Sequence, residues 1–333
     1  MPPRIPRNDV ALATYPSEMI EKISKGLGLS EHESSVILNT AITGGESTNE
    51  ASELHSWIDN RLLPHTVFID QTGYTEMCLD ALKTISTQVL TDFGSSRQRD
   101  FGQAWADTIR GYLGEYALVK YLENRYELQT RLAHQAGVAE DFFDTDISEV
   151  LKEDIWRKPH INIGVKTAKL NGVWFDVPQA QFQKSNIHVQ VKIGAGTTHL
   201  FSFFKSLSVF RDKILKAGLD SSYLSQEESD QIWNDIPEFK PIPAYIVGFV
   251  NRDDYTSNYK YSGSRARLHY TINKFEGLYS PEVLEEIKNT EQLPKNGKVK
   301  FSSIEKFSGT KFVFNSGSLY KSQSEWQTII DNV

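Results

Sequence analysis

The residues in this chain best suited to chemistry are a set of carboxylates and two lysines. Glu115 lies mid-way along a helical pattern, and Asp141, Asp144, Asp146 and Glu149 cluster just downstream. Lys166 and Lys192 each interrupt an alternating apolar segment, Ile161, Ile163 and Val165 for the first and Ile187, Val189, Val191 and Ile193 for the second. Period-two alternation predicts half-buried strands. A lysine beside such a strand is costly unless its ammonium reaches water, a carboxylate or a phosphate. Acids gathered around a cation suit divalent-metal chemistry on a phosphodiester. Hard Mg²⁺ held by carboxylates offsets charge on phosphoryl oxygens and lowers the pKa of bound water. A neighbouring lysine orients that water and stabilises developing negative charge.

The elements that must position these groups follow from the apolar spacing. Residues 102–126 read as one helix, with Trp105, Ile109, Leu113, Ala117, Tyr121 and Leu122 on or near one face and Glu115 just after Gly114. Residues 141–150 read as a short strand with Asp144 and Asp146 sharing a face. The run 243–250 is continuously apolar, the pattern of a strand buried on both sides. Helices are also expected over 50–63, 75–90, 204–216 and 324–330, a surface helix or excursion over 221–235, and a strand over 311–314. Residues 15–42 read as two short helices, the first capped by Ser17, the second by a Ser30/Glu33 capping box. A helix-turn-helix DNA reader is one interpretation; Glu18, Glu21, Glu31 and Glu33 favour a plain helical hairpin.

Composition bounds the rest. The 333 residues are 39% hydrophobic and 24% charged, ordinary for a soluble globular protein, and no apolar run is long enough to cross a membrane. The N-terminus MPPRIPRND lacks the apolar core of a secretory signal. One cysteine, Cys78, excludes an internal disulfide framework and a Cys-rich zinc site, so a cytoplasmic setting is expected. No GxxxxGK[ST] phosphate loop, GxSxG elbow or HExxH pair occurs. The net charge of −7 is unevenly spread: residues 1–155 hold 25 acids and 13 bases, residues 156–333 hold 18 acids and 23 bases. The basic surplus concentrates in 255–275, where Lys260, Arg265, Arg267 and Lys274 stand among tyrosines without an acid, as a DNA-contacting face would.

Gly114-Glu115 on a helix, an acid-bearing strand, and then a strand bearing x-Lys resemble the core of the PD-(D/E)xK nucleases, type II restriction endonucleases in particular. The resemblance spans about residues 102–250. It implies an α/β fold with a central mixed β-sheet flanked by helices. Residues 1–70 would be a small helical region, and 71–333 the nuclease domain with a β-rich, DNA-contacting part over 251–333. It further implies cleavage of double-stranded DNA at a short sequence with Mg²⁺, or Mn²⁺ in its place. Such an enzyme would work as a homodimer in a prokaryotic cytoplasm, beside a cognate DNA methyltransferase. Asp146 would bridge the metal, Lys166 would be the motif lysine and Glu115 a further catalytic acid and metal ligand. Lys169 would join Lys260, Arg265, Arg267 and Lys274 on DNA. Gly164 departs from the pattern, standing two residues before Lys166 where the family has Asp or Glu. Glu115, Asp144 or Glu149 would have to substitute. A second register uses Asp176 with Gln190-Val191-Lys192, where glutamine offers a neutral oxygen ligand. A repair or structure-specific nuclease of the same superfamily and a non-catalytic DNA-binding protein are the alternative functions.

Overall fold

The computed structural model describes residues 15–88, 101–136, 145–196, 199–255, 257–302 and 307–333. The candidate lysine strands β5 (Ile163–Lys169) and β7 (Ile187–Ile193) run parallel, with Lys166 opposite Gln190 and Ala168 opposite Lys192. Antiparallel β8 (Ile242–Asn251) and then β1 (Thr66–Ile69) complete a mixed four-stranded sheet in the order β1-β8-β7-β5, which leaves β5 at the edge. A second sheet has the order β11-β10-β12-β6, with β9 also paired to β10. Its strands are β6 (Trp174–Pro178), β9 (Tyr259–Ala266), β10 (His269–Tyr279), β11 (Lys298–Phe301) and β12 (Lys311–Asn315). A small third sheet joins β2 (Thr130–Leu132), β3 (Ile147–Lys152) and β4 (Ile155–Arg157).

The long helices are α1 (Ser17–Leu27), α2 (Glu31–Thr43), α4 (Gln71–Gln88), α5 (Phe101–Tyr126), α10 (Gln226–Asp235), α11 (Pro281–Thr290) and α12 (Gln323–Asn332). Shorter ones are α3 (Ala51–Trp57), α6 (Ala133–Ala136), α7 (Gln179–Phe182), α8 (His199–Ser206) and α9 (Lys216–Asp220). The Ser30/Glu33 capping box forms as expected, whereas Ser17 is the first residue of α1, with Pro16 before it and no side-chain cap. The helix expected over 50–63 passes from α-helical into π-helical turns at Ile58–Leu62. The segment expected as one helix over 204–216 is likewise broken, with a π-helical stretch at Phe210–Leu215. No helix among the described residues is long and apolar enough to cross a membrane.

Both faces of the central sheet are covered. Ala244, Ile246 and Phe249 of β8 pack with Met77, Leu113, Ala117 and Trp326 from the α4, α5 and α12 side. Tyr245, Val247 and Val250 pack with α1–α3 and with Phe175, Val177, Phe312 and Phe314 of the second sheet. The other face of that sheet carries Trp174, Ile272, Phe275 and Val313 against Ile287 of α11. Alternation along β7 suggests a half-buried strand, yet all seven of its residues are buried. The polar positions find internal partners: His188 Nε2 lies 3.0 Å from the Phe182 carbonyl and Gln190 Nε2 donates to the Trp174 carbonyl at 3.1 Å. At the other edge α5 lies close upon β5 because Gly114 has no side chain; a Cβ there would sit 2.0 Å from Thr167 Oγ1.

Candidate active site

Gly114 brings α5 down onto β5, and the next residue, Glu115, is thereby delivered to the sheet edge. Asp146 arrives from the other side. Its backbone N–H donates to the Ile163 carbonyl at 2.8 Å, and Thr145 Oγ1 accepts from Ile163 N–H at 3.1 Å. The approach to β3 is therefore docked on the start of β5, and the Asp146 carboxylate accepts the Val165 N–H at 2.5 Å. Burial, and then the negative charge of Glu115, push the Asp146 carboxyl up to about 7; the Val165 N–H and Lys166 act in the opposite sense. Burial also pulls the Lys166 ammonium below the ordinary lysine value, opposed by Asp146, Glu115 and Asp176. Lys166 Nζ donates to Gln181 Oε1 at 2.5 Å.

A histidine that sequence reasoning did not single out completes this cluster. His134, on α6, has its Nδ1 3.1 Å from Glu115 Oε2 and its Nε2 3.5 Å from Asp80 Oδ2. The ring stacks on Tyr112 at 3.9 Å between centroids and 10° between planes, and the Tyr112 hydroxyl lies 2.7 Å from Thr84 Oγ1. Burial is the largest influence raising the Tyr112 phenol, and Glu115, Asp80 and Asp146 all add to it. Three carboxylates thus surround one stacked ring pair. Asp80, His134 and Gln181 carry no local signature, because each meets the site through a partner far along the chain. HExxH spacing marks two histidines on one helix, whereas His134 pairs with Glu115 across 19 residues of chain.

The remaining candidates are placed as follows. Asp141 and Asp144 lie outside the described residues; the strand expected over 141–150 begins at Ile147, immediately after Asp146. Glu149 is turned to Arg131 at 2.8 Å. At Gly164 a Cβ would come within 3.0 Å of both His188 Nδ1 and Ser185 Oγ, so the backbone there is packed where an acid would need room. Asp176 pairs with Lys311 at 2.5 Å while still within electrostatic range of Lys166. Gln190 is fully buried. Lys192, 2% exposed, is ion-paired at 2.5 Å with Glu46, 3% exposed, whose other oxygen accepts Tyr245 Oη at 3.0 Å and Trp57 Nε1 at 3.4 Å. Lys260, Arg265 and Lys274 are exposed on the β9–β10 hairpin and Arg267 at its turn; Arg265 Nη2 donates to the Gln292 carbonyl at 2.9 Å. Lys169 is exposed at the end of β5, lining a cleft of about 310 Å³ with His32, Asn171 and Gly194.

Among the described residues no group of three or more His, Cys, Asp or Glu side chains is disposed as a ready ligand set for a metal ion. Glu115 and Asp146 offer two carboxylates instead. That donor set fits Mg²⁺, which holds several waters and binds through one or two carboxylates. Burial raises the Asp146 carboxyl most and the Glu115 charge adds to it, and a hard cation relieves that charge crowding. In comparisons with known proteins the chain matches no family model, no curated protein and no solved structure.

Proposed function

We propose that this chain is a Mg²⁺-dependent deoxyribonuclease of the PD-(D/E)xK kind, a type II restriction endonuclease cutting double-stranded DNA at a short sequence. The observation that supports this reading most is the Asp146 carboxylate, held on the Val165 N–H beside Lys166 and raised by burial and then by Glu115. Asp146 and Glu115 would hold the metal, which supplies charge neutralisation at the phosphoryl oxygens and a more acidic bound water. Asp146 would hold the metal as the ionised carboxylate. Lys166, steadied by the neutral Gln181 amide, orients the attacking water and balances charge that appears only in the transition state. The exposed cations of the β9–β10 hairpin and Lys169 contact DNA, Arg265 and Arg267 being the residues for guanine. A homodimer would match a two-fold recognition sequence, and a methyltransferase in the same prokaryotic cytoplasm would protect the host.

Incubating supercoiled plasmid with the protein in Mg²⁺, Mn²⁺ or EDTA tests the proposal. Discrete fragments that depend on the metal and vanish in Asp146→Asn are the expected result. A smear or a preference for branched substrates would point to a repair nuclease. The crowded backbone at Gly164 favours a second reading, a DNA-binding protein without catalysis. A gel shift with no cutting in either metal would establish that reading and overturn the nuclease.

A further inference from the structure

The nuclease reading leaves unexplained why a buried histidine lies between two acids behind the cluster. We propose that His134 is a positioning residue, which holds the Glu115 carboxylate in register with Asp146; this rests on the nuclease reading and assigns the part of the site that orients its ligands.

Three contacts support it. His134 Nδ1 meets Glu115 Oε2 at 3.1 Å, so the nitrogen that faces the helix acid is known. The ring cannot swing, since its side chain is 2% exposed, one face stacks on Tyr112, and Tyr112 is anchored to Thr84. The residue before it, Ala133, donates its backbone N–H to the Asp146 carbonyl at 3.0 Å. One short helix therefore holds the Glu115 carboxylate through a side chain and the Asp146 backbone through its main chain. Asp80 Oδ2, on α4, lies 3.5 Å from Nε2, beyond hydrogen-bonding geometry. A glutamate has three side-chain torsions and searches many positions unless something holds it. Groups that orient metal ligands commonly account for a 10–100-fold change in metal affinity or activity, so an effect of about that size is expected here.

Binding of Mn²⁺ to the full chain, followed by electron paramagnetic resonance, tests this apart from catalysis. His134→Ala should weaken Mn²⁺ binding by about 10–100-fold. His134→Asn places an amide nitrogen where Nδ1 was and should restore most of the affinity. His134→Gln places its amide where Nε2 was, faces Asp80, and should not restore it. Unchanged or tighter Mn²⁺ binding in His134→Ala overturns the inference, and so does equal rescue by Asn and Gln, which would make the ring mere packing. If His134→Ala does not fold, the Asn and Gln pair still decides. Wild-type protein that neither binds Mn²⁺ nor cuts DNA fails the nuclease reading itself and takes this inference with it. Binding by wild type with no response at His134 fails the inference alone.

Discussion

Lys166 and Lys192 sit on neighbouring parallel strands two register positions apart, and they have opposite fates. Lys192 is on an interior strand. Its charge is met by the buried Glu46 carboxylate, which Tyr245 and Trp57 also satisfy. Lys166 is on the edge strand, and its ammonium rests on a neutral amide, with Asp146, Glu115 and Asp176 acting on it from beyond ion-pair contact. A lysine fully compensated by one carboxylate has no field left for an arriving phosphate. A lysine held by an uncharged group keeps it. The same residue type on the same sheet is thus a cross-link in one place and, on the nuclease reading, the reactive cation in the other, and the location of the counter-charge separates the two.

The largest expected effect is on the structural lysine. Removing the Lys192 side chain leaves the Glu46 carboxylate buried and unpaired, so Lys192→Ala should cost about 3–5 kcal/mol of stability, read by urea unfolding. The folded fraction should still cut DNA. Lys166→Ala should do the reverse. Turnover should fall about 100-fold or more while DNA affinity and the unfolding midpoint hold. Exchanged outcomes, with Lys192 needed for turnover and Lys166 for folding, would move the active site to Asp176, Gln190 and Lys192.

This contrast was only partly legible in the sequence. Alternation marked β5 and β7 as strands, and the apolar run marked β8, because local side-chain pattern decides those elements. Glu115, Asp146 and Lys166 were recognisable by type and order along the chain. What pattern could not convey was the second covering layer. Glu46 reaches Lys192 across 146 residues, and the Phe182 and Trp174 carbonyls that satisfy His188 and Gln190 come from α7 and β6. Strand β6 is short and ends in Pro178, so it gave little signal, and with it Gln181 was hidden. Asp80 is a further case: on α4 it reads as one more polar residue until His134 folds beside it.

Next in size is the seam that brings Glu115 to β5. Gly111 and Gly114 of helix α5 meet different surroundings: a Cβ at Gly114 would lie 2.0 Å from Thr167 Oγ1, while one at Gly111 would meet nothing within 4 Å. Gly114→Ala should destabilise by about 1–3 kcal/mol and push Glu115 away from Asp146, lowering turnover as well. Gly111→Ala should be neutral or stabilising by up to about 1 kcal/mol through helix propensity. Adding Thr167→Ala should recover most of the loss at Gly114. Equal effects at the two glycines, measured by thermal unfolding, would mean that the close approach of α5 and β5 is not what sets the site.

The effect that isolates the acid beside Lys166, and the smallest at any one pH step, is a slope against pH. The Asp146 carboxyl is raised from 3.8 to about 7 in the folded chain, so between those values the folded state holds a proton that the unfolded state has lost. Its contribution to stability is complete below the unfolded value and is lost as pH rises through the folded one. The slope from a single such group is at most about 1.4 kcal/mol per pH unit. Buried neutral histidines act the other way over an overlapping range: His65 is depressed to about 3 and His188 to about 4, so each favours the folded state as pH rises toward the ordinary histidine value. The total curve therefore hides Asp146. Subtracting the urea stability of Asp146→Asn from that of wild type removes the histidine contributions and should leave a difference that falls steadily from about pH 4 to about pH 7. Saturating Mg²⁺ should flatten that difference, because a bound cation favours the ionised carboxylate. A difference that stays level without metal would mean that Glu115 and burial do not raise Asp146, and the two carboxylates would then be too far apart to share an ion.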